Sequence, residues 1–491
     1  MNKVDFSKNL KQVPVSKRIA LAVSVSTSLL LPTLISSQVA AQSSSISSNS
    51  TTELTSTTLA SNTTQSPADT ADNLKDVYRE HATNTRWENL NPGPDFYNSP
   101  YQISLFDPKN GEDSARVWSQ TKAIFGYGFG VIGIIALLPE DISNWDSEQS
   151  LGSKWSENVT DGPVWDRDTG ALNLLGHPYF GGAYYQVARK SGYRQWDAFI
   201  YSTLMSTFYW EYGIEAFAEV PSVQDLVITP VLGWAYGEWA FNTEMALKKS
   251  GGEIWGSSML GNTAFFFLDP ADYMSAGINN IFGKEIIIAG TGYVGIKDIP
   301  YGSEGKTDNQ ISYNVKFQLG DGGNIASNKP KRAYRKSDPV DTGIIGLSYG
   351  IGSAQLDNTW GVDGGQTKEY SLGLYFTPSF SSRVSYSKGV FLNETSNNKE
   401  TYENYSLDSQ YYFNSKGDLR PYLTAGFGDV LWMKEDDTAK FAVNAGGGGH
   451  YKLNNNFALQ LDWRFYFTPS EDTVDNNATL RLIYFLGKGQ R

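Results

Sequence analysis

Residues 457–466 read FALQLDWRFY. Phe457, Leu459, Leu461, Trp463 and Phe465 alternate with Ala458, Gln460, Asp462, Arg464 and Tyr466. A period of two sends the two sets to opposite faces of a β-strand. One face is apolar and aromatic, the other mostly polar and charged. A membrane-spanning barrel needs this division, with apolar side chains toward lipid and polar ones toward the lumen. The same alternation runs through Ile311–Leu319 and Ala478–Leu486. Similar candidates lie at 285–296, 341–352, 368–377, 381–391, 401–413, 419–431 and 439–452. Closure satisfies every backbone group inside a bilayer, so an even count of about 8 to 12 strands is expected. Gly446 to Gly449 fall within one candidate, and the lack of side chains there lets another backbone or a bulky ring approach closely, with a helix or an aromatic group expected to pack on it.

Composition points the same way. Aromatic residues make up 14% of the 491, with 48 glycines and only 19% charged residues. No run of about 18 apolar residues marks a membrane helix. The net charge is −12 with no large basic block, which argues against a nucleic-acid partner. The chain has no cysteine, so a disulfide scaffold, a thiolate metal site and a lipidated N-terminal Cys are all excluded.

Upstream of the strands the chain divides into three parts. Lys3, Lys8, Lys11, Lys17 and Arg18 precede the apolar run Ile19–Leu31, and Val39-Ala40-Ala41 offers small residues for cleavage. Residues 1–41 therefore read as a secretory signal peptide. Residues 42–75 are Ser/Thr-rich and read as a disordered spacer. Residues 76–279 carry helical signals, and 280–491 the strands. Within the helical part, Ala123–Leu138 reads as a short buried helix. Pro178 is placed to open a helix that ends near Gly192, and Trp196–Glu219 has apolar residues at helical spacing. Glu211, Glu215 and Glu219 then share one helix face. Ser222 to Asp225 resembles a capping box, and Thr229-Pro230 opens a further helix stopped by Gly251. The pairs Gly126/Gly130 and Gly233/Gly237 stand four apart, which suits close helix packing.

Chemistry, if present, rests on a few residues of the helical part. His177 is its one histidine between residues 82 and 449. It is a candidate base, with Glu211 or Glu215 as its partner. Tyr184, Tyr185, Arg189, Glu219 and Asp225 are candidate binding residues. Buried acids also need cations, so pairing of these acids with Arg167, Arg189 or Arg194 is the structural alternative. No Gly-x-Ser-x-Gly, His-Glu-x-x-His or Walker loop is present, and no cofactor is expected. One histidine with several carboxylates is an adequate ligand set for a hard cation, but the spacing is not diagnostic and no metal site is assigned. In the strands, Asp408, Asp462, Arg464 and Arg481 fall on the polar face and are expected to pair inside a small lumen.

Two resemblances follow from these residues. His177-Pro178, Gly181, Tyr184-Tyr185, Ala188-Arg189, Gly192, Trp210-Glu211-Tyr212, Glu215, Glu219, Pro221-Ser222, Asp225-Leu226, Thr229-Pro230, Gly233 and Gly237-Glu238 resemble the core of an uncharacterised domain of Gram-negative envelope proteins. That resemblance implies no activity. Arg420-Pro421-Tyr422, Gly426, Gly428, Gly446-Gly447-Gly448 and Asp462-Trp463-Arg464-Phe465-Tyr466 are similar to small outer-membrane barrels of the OmpA type. The whole reads as an α+β membrane protein, a helical N-terminal domain followed by an antiparallel transmembrane β-barrel in a Gram-negative outer membrane. Its expected partners are outer-membrane lipid, the barrel-assembly machinery and a lipid or small apolar ligand. A structural or binding role is favoured over an enzymatic one. The rivals are an acyl hydrolase or transferase of envelope lipid using His177 with Glu211 or Glu215, and a small channel. Whether the helices plug the lumen or sit at its periplasmic mouth is left open by the sequence.

Overall fold

The computed structural model leaves residues 1–99, 109–111, 123, 126–149, 165–170, 218–219, 270–286, 302–305, 320–337, 339, 363, 394–397, 433–438 and 490–491 undescribed. The signal peptide, the spacer, most of Ala123–Leu138, Arg167 and Glu219 therefore lie outside the described residues. The chain divides after Ser337 into two compact units.

The second unit is a closed antiparallel barrel of eight strands. These are β3 (Ile345–Gln355), β4 (Gly365–Thr377), β5 (Phe380–Leu392), β6 (Lys399–Tyr412), β7 (Leu419–Trp432), β8 (Ala439–Lys452), β9 (Phe457–Thr468) and β10 (Thr473–Phe485). Each pairs with its chain neighbour, and β10 pairs back onto β3 from Asn476↔Gln355 to Phe485↔Gly346. No edge is left open, as a bilayer requires. Leu461, Trp463 and Phe465 are exposed on the outside, and Asp462, Arg464 and Tyr466 are buried inside. The alternation of β9 thus has the expected sense. The Gly446–Gly449 run lies in β8 between β7 and β9. A Cβ on Gly448 would stand 2.0 Å from the carbonyl oxygen of Leu461. The neighbouring strand's own backbone occupies the space that the sequence reading gave to a helix or an aromatic ring.

Two of the ten strand candidates are not in the barrel. β1 (Ile287–Tyr301) and β2 (Lys306–Leu319) pair with each other as a two-stranded sheet in the first unit. Their alternation is real, but a period of two does not specify the partner. The barrel sheet therefore begins at Ile345 rather than near residue 280.

The lumen is filled by its own side chains in three layers. At the end where β3 starts and β10 finishes, Tyr375, Tyr412, Tyr422, Ala458, Ile483 and Phe485 pack together. At the opposite end, Ala354, Leu356, Val362, Phe391, Tyr402, Val430 and Ala442 do the same. Between them lies a buried charge network. Arg464 meets Asp408 at 2.9 Å and Glu369 at 2.5 Å, and Arg481 meets Asp462 at 2.6 Å and Glu369 at 2.8 Å. Arg383 lies 3.4 Å from Asp408 and 3.5 Å from Asp462. Tyr422 donates to Asp462 at 2.7 Å, and Asn444 to Asp408 at 2.9 Å. Three guanidinium groups face three carboxylates, so the layer is neutral. Charges in a dry lumen need this mutual satisfaction.

The first unit holds α1 (Leu151–Thr160), α2 (Ala171–Arg189), α3 (Gln195–Leu204), α4 (Val223–Lys249) and α5 (Ser258–Leu268). Among the described residues, no helix is long and apolar enough to cross a membrane. Ser222 caps α4 by accepting from the Asp225 backbone N–H at 3.3 Å, as its sequence predicts. Pro178 and Pro230 depart from expectation. Neither opens a helix; both lie inside one, in α2 and α4. An internal proline loses one helical hydrogen bond and costs about 3 kcal/mol. The packing of α2 on α4 outweighs that cost. The two helices cross at glycines: a Cβ on Gly181 would stand 1.9 Å from the Thr229 carbonyl oxygen, and one on Gly233 would stand 2.6 Å from the Gly181 Cα. The backbones touch there because neither residue has a side chain.

Candidate functional site

The helix crossing sets the site. His177 lies one turn before Gly181 on α2, and Asp225 and Thr229 lie two turns and one turn before Gly233 on α4. Bringing the glycines together therefore brings these three side chains together. His177 Nδ1 stands 3.1 Å from Thr229 Oγ1 and 3.5 Å from Asp225 Oδ1. Glu211 joins them from a third element. α3 continues directly into a π-helix, Met205–Ile214, and a short 3₁₀ turn, Glu215–Phe217. The glutamate row is thus not one face of an α-helix, because the i→i+5 bonding of the π segment changes the angular spacing. π-segments are rare and occur often at functional sites. α1 braces this one: the Trp155 indole donates to the Tyr212 carbonyl at 2.8 Å, and Asn158 to that of Ala216 at 2.9 Å.

One nitrogen of His177 and one oxygen each of Glu211 and Asp225 lie within 4.8 Å of one another. Glu211 is 1% exposed. Its Oε2 accepts from the Ser222 backbone N–H at 3.1 Å, whereas its Oε1 has no hydrogen-bond partner among the described residues. Burial, reinforced by the nearby Glu215 and Asp225 carboxylates, pushes the Glu211 carboxyl up to about 10. A cluster of acids with one imidazole can hold a cation or keep a shared proton. It is poorly arranged for acyl transfer. Thr229 and Asp225 both face Nδ1, so among the described residues no nucleophile and orienting acid stand on opposite ring nitrogens.

The remaining candidates have other surroundings. Arg189 Nε meets Glu238 at 2.8 Å, Tyr185 donates to Glu238 at 2.6 Å, and the Arg189 guanidinium lies 4.9 Å from the Phe241 ring centroid. Burial alone would raise the Glu238 carboxyl, but Arg189 overrides it and holds it below the ordinary range. Tyr184 packs edge-on against Tyr209 at 6.3 Å. Of the candidates, His177, Glu211 and Asp225 come together, with Glu215 beside Glu211. Tyr184, Tyr185 and Arg189 are built into the α2–α4 core. The sequence reading missed Thr229 as a ring partner and Glu238 as the acid paired with Arg189. The four-residue spacing of Asp225 and Thr229, matching that of His177 and Gly181, is the signal that could have found the first.

Among solved structures, the chain is similar to Neisserial surface protein A, at 13% identity over 29% of this chain and 97% of that one, with a TM-score of 0.26. It is similar to the N-terminal β-barrel domain of Pseudomonas aeruginosa OprF, at 16% identity over 28% and 97%, with a TM-score of 0.21. It is also similar to the outer membrane enzyme PagL, at 12% identity over 29% and 99%, with a TM-score of 0.21. No curated protein matches the chain. Residues 162–271 match the domain of unknown function DUF3943 and residues 332–484 the outer membrane protein beta-barrel domain, so this is an outer-membrane β-barrel protein that also carries a domain of unknown function.

Proposed function

We propose that this is an envelope structural or ligand-binding protein, in which the barrel is an anchor and the working site is the polar centre of the helical unit. The carrying observation is the buried, neutral Arg383–Arg464–Arg481 network with Glu369, Asp408 and Asp462, capped by apolar layers. It supports an anchor over a pore, and leaves His177, Glu211 and Asp225 as the place for a ligand. The polar character of that cluster suits a cationic ligand better than a lipid or small apolar one.

Residues 1–41 direct export and are cleaved, and the barrel-assembly machinery inserts the strands. Eight strands return the chain to the end at which it entered. That end has the connections 378–379, 413–418 and 453–456; the other has 356–364, 393–398, 433–438 and 469–472. Short turns face the periplasm in barrels of this kind. The helical unit therefore works in the periplasm. Because the chain has no cysteine, single introduced thiols report without background. Thr359→Cys is expected to react with an impermeant maleimide on intact cells. Glu157→Cys is expected to react only after the outer membrane is permeabilised. Labelling of Glu157→Cys on intact cells would overturn the assignment.

A further inference from the structure

The geometry points to a binding site for one divalent first-row transition-metal ion at His177, Glu211 and Asp225. This inference rests on the reading that the working site lies in the helical unit. Three elements that are separate in sequence each deliver one ligand: α2 gives His177, the π-helix gives Glu211 and α4 gives Asp225. Their donor atoms all lie within 4.8 Å of one another. Metal–nitrogen and metal–oxygen bonds of about 2.0–2.2 Å place donor pairs roughly 3–4.4 Å apart. Side-chain movements of up to about an ångström complete the set, since bonds of this length at tetrahedral angles bring donors about 3.3–3.6 Å apart.

The second observation is independent of the cluster. Glu211 Oε1 is buried and no amide, hydroxyl or cationic side chain meets it among the described residues; the Glu215 carboxyl lies beside the Glu211 carboxyl. A buried carboxylate oxygen is unfavourable unless a proton or a cation meets it. The buried acids of α4 show what this fold ordinarily does. Glu238 meets Arg189 at 2.8 Å, and Glu244 meets Lys190 and Lys248, each at 2.6 Å. Glu211 instead lies near the His177 imidazole and the Glu215 and Asp225 carboxyl groups, a donor set that a cation would satisfy. Thr229 Oγ1, 3.1 Å from His177 Nδ1, holds the ring toward Asp225, which stands 3.5 Å from the same nitrogen; an ion bound at Nδ1 takes the place of the Thr229 contact. An imidazole with carboxylates selects zinc, manganese or iron over calcium or magnesium, which prefer oxygen ligands alone.

The test is calorimetric titration of the purified, chelator-stripped full chain in detergent with Zn²⁺ and with Mn²⁺, and Ca²⁺ for comparison. We expect one ion per chain, with Ca²⁺ the weakest. Glu211→Gln keeps the shape and the acceptor for the Ser222 N–H, and is expected to weaken binding by at least about 100-fold, beyond the 10–100-fold typical of an outer-shell loss. His177→Ala is expected to do the same. Circular dichroism of each variant confirms the fold. A wild-type chain that binds neither ion, or a Glu211→Gln chain that binds like wild type, overturns the inference. A chain that binds no metal and conducts no current ends this inference and leaves the anchor reading standing. A conducting chain that binds metal through Glu211 does the reverse.

Discussion

Asp462→Ala is expected to destabilise the barrel by about 3–5 kcal/mol, the range for leaving a buried charge without its partner. Asp462 accepts from Arg481 at 2.6 Å and from Tyr422 at 2.7 Å, and lies 3.5 Å from Arg383 and 3.4 Å from Arg464. Its loss leaves three guanidinium groups facing two carboxylates in a lumen that water does not reach. A net positive charge there cannot be relieved by rotation, because all three arginines are held between packed layers. The measurement is urea unfolding in detergent, read by the gel-mobility difference between folded and unfolded barrel. The double variant Asp462→Ala/Arg481→Leu restores neutrality and is expected to recover part of the loss. An Asp462→Ala barrel as stable as wild type would mean that the network does not fill the lumen.

Gly233→Val is expected to abolish the cooperative unfolding transition of the helical unit while the barrel's gel-mobility shift persists. A Cβ at this position would lie 2.6 Å from the Gly181 Cα and 2.8 Å from the Gly182 backbone nitrogen. Those atoms are backbone and cannot swing aside. Replacing glycine inside a helix ordinarily gains up to about 1 kcal/mol from propensity, but overpacking of this kind costs about 1–3 kcal/mol or more, and a branched side chain adds to the clash. The consequence reaches the site, because the Gly181–Gly233 contact holds His177 against Thr229 and Asp225. Far-ultraviolet dichroism against temperature, in parallel with the gel assay, separates the two units. A variant whose helical transition is unchanged would show that the crossing is not tight.

Much of the architecture is legible in residue order, for physical reasons that also explain the failures. The alternation of Phe457–Tyr466 and Ala478–Phe485 fixes which face meets lipid, because a period of two has only one register that hides Asp462 and Arg481. The same period in Ile311–Leu319 is silent about its partner, so β1 and β2 look like barrel strands. Ser222 announces its cap through local hydrogen bonding, which residue type encodes. Pro178 and Pro230 mislead because their local preference for a first turn is overridden by packing between distant glycines. The π-helix has no signature in residue type, so Glu211, Glu215 and Glu219 read as a plain α-helical row. His177 and Glu211 stand out early as residues without a structural role, and the fold brings them together. Arg189 and Tyr185 look equally available in the sequence, because nothing local reveals that Glu238, about fifty residues away, lies beside them.

Planar-bilayer recording from the purified, refolded full chain tests the anchor reading most directly. A lumen closed by Glu369, Asp408, Asp462 and the three arginines, with apolar layers on both sides, is expected to give no discrete current steps at either polarity. Reproducible single-channel steps from the wild-type chain, altered in Arg481→Leu, would contradict it.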